Sequence, residues 1–193
     1  MGYTSNPPED LIEKLLEWDT QALLWINTNG MEPWDTIAWY GTKGWIGIPL
    51  YLVASGWLLW RKGKQGLRAL AVIVAIIAAT DLICARILKP GVGRLRPSHE
   101  PCLSGRLRLL HGYRGGLYSF PSNHAANTAA GSVAFALYIR HPLVWLIGAL
   151  WTFLHSFTRV YLGVHYPSDI LAGWIIGSLL SLVLLKVYQR RYA

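Results

Sequence analysis

Long stretches almost without charge alternate with short polar turns along this chain. Apolar runs occupy about residues 44–60, 67–88, 121–139, 142–159 and 168–185, each close to the roughly 17–25 residues that cross a hydrocarbon core as α-helix. The pattern predicts five spans. Ahead of them Leu11, Ile12, Leu15, Leu16, Leu23 and Ile26 recur at helical spacing, opposed by Glu9, Glu13, Lys14 and Glu17, which is the pattern of a helix lying in a membrane surface. Burying those charges at the bilayer centre would cost at least ~2.5 kcal/mol each. Residues 1–30 are therefore expected to be interfacial, and residues 44–187 to form the transmembrane bundle of a single domain, 1–193. Residues 32–43 read as a short helical connector. The expected fold class is an all-α integral membrane bundle of about five transmembrane helices with an N-terminal amphipathic surface helix.

Composition agrees with that pattern. At 53% hydrophobic and 15% charged residues the chain is too apolar for a typical soluble domain. Trp45, Trp57, Trp60 and Tyr188 stand near the ends of apolar runs, where aromatic rings favour the headgroup region. The net charge of +8 points to anionic membrane lipid and not to nucleic acid, because the basic residues sit at the ends of runs and not along a soluble face interleaved with aromatics. Five spans put the turn Arg61-Lys62-Gly63-Lys64, the turn Arg140-His141-Pro142 and the tail from Lys186 to Arg191 on one side, without an Asp or Glu among them. That side is expected to be cytoplasmic. Residues 89–120 and 159–169 then share the extracytoplasmic side. The acidic stretch Met1 to Glu17 lacks a basic n-region and an apolar h-region, so no cleavable signal peptide is expected. Cys84 and Cys102 match neither a zinc spacing nor a disulfide framework.

Three polar clusters interrupt the apolar chain, each at the extracytoplasmic end of a span. They are Lys89 to Pro97, Phe120-Pro121-Ser122-Asn123-His124, and Thr158 to Asp169. A bundle would bring together Lys, Arg, two His and one Asp, without Cys or Glu. This set suits phosphoryl transfer: fixed cations neutralise phosphoryl oxygens, one His attacks phosphorus and another protonates the leaving oxygen. Asp169, four residues beyond His165, can accept the proton on one ring nitrogen and leave the other aimed at phosphorus. Pro121 and Ser122 open a helix, so the amides of Ser122, Asn123 and His124 can trap an anion at its N-terminus. Arg96 and Arg159 can bind oxygens bidentately, while Lys89 supplies a point charge. Metal ligation by His124, His165 and Asp169 is disfavoured by the Arg and Lys crowding the same place, so neither metal nor cofactor is expected.

The spacing itself is specific. Lys89, six residues, Arg96-Pro97; then Pro-Ser-Asn-His at 121–124; then Arg159, five residues, His165, three residues and Asp169 resembles the three-part signature of the type 2 phosphatidic acid phosphatase superfamily. The resemblance implies a membrane lipid phosphatase in which Lys89, Arg96, Ser122, Asn123 and Arg159 bind phosphate. It implies further that His124 is the general acid, His165 forms a phosphohistidine and Asp169 orients it. Two positions depart from the family pattern: Asn123 stands where Gly is common, and Thr158 where Ser precedes the Arg. The stretch His111-Gly-Tyr-Arg-Gly-Gly resembles small bacterial members of the lipid-phosphatase branch.

Plainer roles suit the remaining polar residues. Arg86, Arg94, Arg106, Arg108 and Arg114 are expected to be snorkelling anchors, and His155 and His141 to be satisfied polar residues. His99 and His111 are placed to shape substrate entry. Asp81, inside the second span, is expected to face the bundle interior and find a partner there. Gly173, Gly177 and Ser181 form a small-residue stripe for close helix packing. The expected activity is metal-independent hydrolysis of an anionic lipid phosphate or pyrophosphate at the extracytoplasmic face of a bacterial inner membrane. A phosphotransferase using the same intermediate, or a transporter, are the alternatives. Phosphatidic acid, phosphatidylglycerol phosphate, undecaprenyl pyrophosphate and lipid A present similar phosphates. The sequence sets neither the headgroup nor the oligomeric state.

Overall fold

The structure, a computed structural model, describes residues 7–192. The first six residues of the expected surface segment and Ala193 lie outside the described residues. The chain forms α1 (Pro7–Thr28), α2 (Trp34–Gly41), α3 (Ile48–Ile83), α4 (Lys89–Val92), α5 (Asn123–Ile139), α6 (Pro142–Tyr161) and α7 (Pro167–Tyr192). A π-helical stretch, Cys84–Leu88, joins α3 to α4 without a break. No strand occurs among the described residues beyond an isolated bridge between Leu95 and Tyr118.

The first two expected spans are one helical hairpin. Gly63 has φ 50° and ψ −124°, a conformation that a side chain would forbid, and the chain reverses there. Gly66 meets the Leu58 backbone, although eight residues of straight helix would separate them by about 12 Å. Three continuous helical stretches are long and apolar enough to cross a membrane: 44–92, which contains this reversal, α6 and α7. α5, with 17 residues, is the most enclosed leg. The five apolar runs therefore correspond to five legs.

α5 sits in the middle, packed on α7, α6 and α3. Its first two-thirds are rich in small residues, and Ala125, Ala126, Ala129, Ala130, Gly131 and Ala134 are buried. The glycine stripe of α7 lies against it. A Cβ on Gly173 would stand 2.8 Å from the Ala125 side chain and from the Ser122 carbonyl oxygen, and one on Gly177 would collide with the Ala126 carbonyl. Small residues on both helices bring the backbones together and give dispersion contact where lipid offers no hydrophobic drive. Toward the end bearing the basic turns, Leu58, Ala69, Ile73, Ile76, Phe135 and Leu185 form a larger-residue core. Lys62 from the hairpin turn donates there to the Tyr138 carbonyl at 2.8 Å.

α1 is a surface helix for half its length only. Leu11, Ile12, Leu15 and Leu16 are exposed, while Leu23 is buried and Leu24 and Ile26 pack on the second core cluster with Val160 and Ile170. Buried Asn27 ties α1 down, donating to the carbonyls of Arg108 at 3.0 Å and Tyr161 at 2.8 Å, and accepting from the Arg108 N–H at 2.8 Å. Arg108, expected as an anchor, instead reaches Asp35 of α2 at 2.5 Å. Asp81 also departs from expectation: it is exposed at the edge of α3, because the amide donors of Asn123 and Asn127, both 2.8 Å from its Oδ1, lie on the adjoining face of α5.

The α5–α7 approach predicts a sharp contrast between glycines. Gly177→Ala should lower stability by about 1–3 kcal/mol, since the methyl group meets backbone that cannot yield, whereas Gly56→Ala, whose Cβ would meet nothing within 4 Å, should be neutral. Thermal unfolding of the two variants in the same detergent checks this, and equal midpoints would contradict the packing described.

Candidate active site

The three polar clusters converge at the end of the bundle opposite the basic turns. Val164, His165 and Tyr166 occupy a tight turn between α6 and α7, which Gly163 makes possible with φ 70°. α7 then starts at Pro167, and its first-turn Asp169 folds back on that turn, accepting the Tyr166 N–H at 2.9 Å. The cap of α5 docks on the same place: the Ser122 N–H donates to the Asp169 carbonyl at 3.1 Å, while the Ser122 hydroxyl accepts from the Ala125 N–H. The N–H groups of the first helical residues, Asn123 and His124, have no partner within the helix.

His165 and Asp169 are fully buried. The Nδ1 of His165 lies 3.2 Å from Asp169 Oδ2, and its Nε2 lies 3.0 Å from a terminal nitrogen of Arg96. A guanidinium only donates, so Nε2 presents its lone pair and Nδ1 carries the proton toward Asp169. This is the tautomer a nitrogen nucleophile needs. Burial holds the His165 imidazole well below its usual pKa, and the charges of Arg96, Arg159, Lys89 and Arg94 add to the effect. Burial and neighbouring Arg159 likewise push Arg96 down to about 10.

Arg159 is almost completely enclosed. One terminal nitrogen donates to Thr42 Oγ1 and the other to the Tyr113 hydroxyl at 3.1 Å. Arg96 also donates to the Val164 carbonyl at 3.1 Å. In both residues Nε is buried without a partner, an arrangement whose desolvation cost an anion would relieve. His124, half-buried, lies close enough to Arg159, His165 and Arg96 to feel their charge. Its ring stands 5.5 Å from that of His155, which is held by the Gly41 carbonyl at 2.9 Å and stacks on Trp151. His155 is thus the satisfied polar residue that its sequence context suggested, yet it backs His124.

Besides Ser122, whose N–H is taken by the Asp169 carbonyl, two expected phosphate ligands are otherwise engaged. Lys89 Nζ donates to the carbonyls of Tyr118, Ser119 and Pro121 at 3.1, 2.9 and 2.9 Å; it fastens the segment entering α5 and acts on the pocket as a charge. The Asn123 side chain turns to Asp81, which leaves its backbone N–H as the group on offer. Reading the sequence alone missed Thr42, Tyr113 and Asp19, and treated Arg94 as an anchor. Arg94 instead bonds Asp169 at 3.0 Å and Asp19 at 2.7 Å. Spacing gives no sign of these partners, since they come from α1, from the connector after α2 and from the long loop. His111 packs on Trp39, and His99 reaches the Gly115 carbonyl at 3.3 Å, both in the covering loop. No group of three or more His, Cys, Asp or Glu able to hold a metal occurs among the described residues.

A multi-pass helical bundle that gathers guanidinium groups, a capped helix N-terminus and a His–Asp pair at one end defines a membrane-embedded phosphatase. The model of the PAP2 superfamily matches residues 68–193, and the chain belongs to that superfamily. A lipid A 4'-phosphatase of Bacteroides thetaiotaomicron is 39% identical over 171 residues, covering 86% of this chain and 75% of the relative. Phosphatidylglycerophosphatase B of Bacillus subtilis is 27% identical over 165 residues, covering 81% and 72%. The fold is also that of the PAP2-type phosphatidylglycerolphosphate phosphatase crystal structure from Bacillus subtilis, with TM-score 0.66, 22% identity and coverage of 93% and 88%. The Aquifex aeolicus LpxE structure superposes with TM-score 0.66 at 21% identity, covering 86% and 94%.

The electrostatics of His165 predict its pH behaviour. For His165 as nucleophile only the neutral ring would be competent, and the cations around it oppose protonation, so kcat/KM should then fall on the acid side at a pH below the ordinary imidazole value of about 6.5. Arg96→Gln removes one of these charges and should move that limb to higher pH. Profiles of wild type and variant with one aryl phosphate check the sign, because the substrate's own ionisation is common to both.

Proposed function

We propose that this protein hydrolyses a phosphate ester of a lipid A type glycolipid through a phosphohistidine on His165. The observation that carries the reading is the His165 ring itself: proton toward Asp169, lone pair toward Arg96, within a pocket where two guanidinium Nε atoms lack partners. Nε2 of His165 forms a bond to phosphorus as the bond from phosphorus to the ester oxygen breaks, and His124 delivers its proton to that oxygen. A water molecule then gives a proton to His124 and attacks phosphorus, the P–N bond breaks, and inorganic phosphate leaves. Arg96, Arg159 and the N-terminal amides of α5 stabilise the charge on the phosphoryl oxygens in both steps. Lys89 adds to the field. These fixed cations do the neutralising that a divalent metal does elsewhere.

Two features support a lipid of this kind. An apolar groove of about 510 Å³, walled by Trp25, Ile26, Ile37, Trp151, Phe157 and Tyr161, reaches Gly41 and Thr158 beside Arg159. It offers acyl chains a place next to the phosphate pocket. The relative with 39% identity is a lipid A 4'-phosphatase, and the extent of that similarity favours its headgroup over the glycerol and polyprenyl phosphates of other relatives. The basic turns, free of Asp and Glu, argue for their end being cytoplasmic, which would put the pocket at the extracytoplasmic face of a bacterial inner membrane.

Quenched-flow trapping with labelled substrate tests the mechanism. Wild type should form an acid-labile phosphoenzyme without added divalent ions, and His165→Ala should form none with any substrate. His124→Ala should still form it from an aryl phosphate, whose leaving group needs little help, and lose it with an alkyl or lipid phosphate. Phosphoenzyme in His165→Ala, or dependence on one particular metal, would refute the mechanism. In a substrate panel, phosphate release should be fastest from lipid A. Faster release from phosphatidylglycerol phosphate or undecaprenyl pyrophosphate would reassign the headgroup. Ser104→Cys, in a Cys102→Ser background, should react with an impermeant thiol reagent added outside the cell.

A further inference from the structure

Arg94 lies two residues before the signature Arg96, yet its contacts lead to the chemistry. One terminal nitrogen donates to Asp169 Oδ1 at 3.0 Å and to the Ser168 hydroxyl at 2.7 Å; the other donates to Asp19 Oδ2 at 2.7 Å. The guanidinium lies 3.8 Å from the Tyr166 ring centroid. Asp19 in turn accepts the Ser168 N–H at 2.8 Å and the Ser168 hydroxyl. A chain of alternating charge, Asp19, Arg94, Asp169, thus runs from the surface helix to the imidazole of His165. Asp19 precedes the residues that the family model matches, and its side chain is nearly buried.

We propose that Asp19 and Arg94 are positioning residues of the hydrolytic centre, so that α1 is part of the machinery and not only a membrane contact. The inference rests on the reading of His165 as nucleophile. Its physical basis is the division of labour on Asp169. Oδ2 takes both His165 Nδ1, at 3.2 Å, and the Tyr166 N–H, at 2.9 Å. The former is long for a charge-assisted bond, which runs at about 2.7–2.9 Å, so the His–Asp contact alone does not fix the carboxylate plane. Arg94 holds the remaining oxygen. A planar fork can join two carboxylates at once, which a lysine ammonium does less well. Asp19 keeps the fork from swinging away, and together with the Ser168 bonds it stiffens the first turn of α7, on which Asp169 stands.

The test uses the full-length protein in detergent, with an aryl phosphate as substrate and activity expressed per folded molecule. Arg94→Gln should lower kcat about tenfold to a hundredfold, by analogy with loss of the hydrogen-bond partner that orients a metal-ligating side chain, and leave KM nearly unchanged. Asp19→Asn should show a smaller loss of the same kind, and Arg94→Lys should recover only part of the Arg94→Gln loss. In an Asp169→Asn background Arg94→Gln should add little, because the group it positions is already impaired. The acid limb of kcat/KM should also rise in Arg94→Gln. The ring of His165 then keeps Arg96, Arg159, Lys89, His124 and Asp169 around it but loses one opposing cation. Losses that multiply in the Asp169→Asn background, with an unmoved acid limb, would overturn the proposal and leave Arg94 as a tether for α1. Phosphoenzyme in His165→Ala would instead sink the reading of the nucleophile, so the two failures are distinguishable.

Discussion

The contact between α5 and α7 is the constraint on which the rest of this molecule depends. Side chains of one or two heavy atoms on α5 face glycines on α7, and the two backbones meet near Ser122, Ala125 and Ala126. That closeness sets the height of the α5 cap against the first turn of α7, where the Ser122 N–H reaches the Asp169 carbonyl. A single larger residue in the seam would separate the capped N-terminus of α5 from the His–Asp pair. Packing and chemistry are therefore the same fact seen at two levels. The bland composition of α5, which carries little information as hydropathy, is what lets the polar clusters meet.

Around this seam the protein solves an electrostatic problem. Lys89, Arg96 and Arg159 are crowded at one end of the bundle, which desolvation makes costly. Each is held differently. Lys89 spends its donors on three carbonyls, Arg159 is gripped by Thr42 and Tyr113, and Arg96 leans on Val164 and the imidazole. Dipoles take the place of counter-charges, so the pocket keeps an excess of positive charge for an anion to meet. Asp169, the carboxylate bonded to the imidazole, is itself shared with Arg94.

Much of this was legible in the sequence, for identifiable reasons. Spans follow from run lengths, and the meeting of Lys89, Arg96, Ser122, His124, Arg159, His165 and Asp169 follows from their positions at one end of successive legs. The i, i+4 relation of His165 and Asp169 on a turn leading into a helix makes their contact almost local. Arg94, Asp19, Thr42 and Tyr113 were not legible, since each acquires its role from a partner brought near only by the tertiary fold. Asp81 and Asn123 show a second limit. Run length places both near the membrane, but only the rotational setting of α3 against α5 decides that they face each other at the bundle's edge. The hairpin at Gly63 was visible as a basic turn, but its compression to a reversal around one glycine was not.

The Gly63 reversal separates two kinds of order in time. Its legs, 48–62 and 64–83, are neighbours in sequence and meet through contacts such as Gly66 against Leu58, so little chain must be confined to form them. The centre is assembled from the opposite extreme: Asp19 with Ser168, 149 residues apart, and Thr42 with Arg159, 117 apart. Contacts of such separation pay their loop-closure entropy first and are rewarded late. Helical content and even correct insertion can therefore be complete while the pocket is still open at its rim. Turnover is consequently the more demanding reporter of maturation, because it registers the moment when the first helix of the chain finds the last.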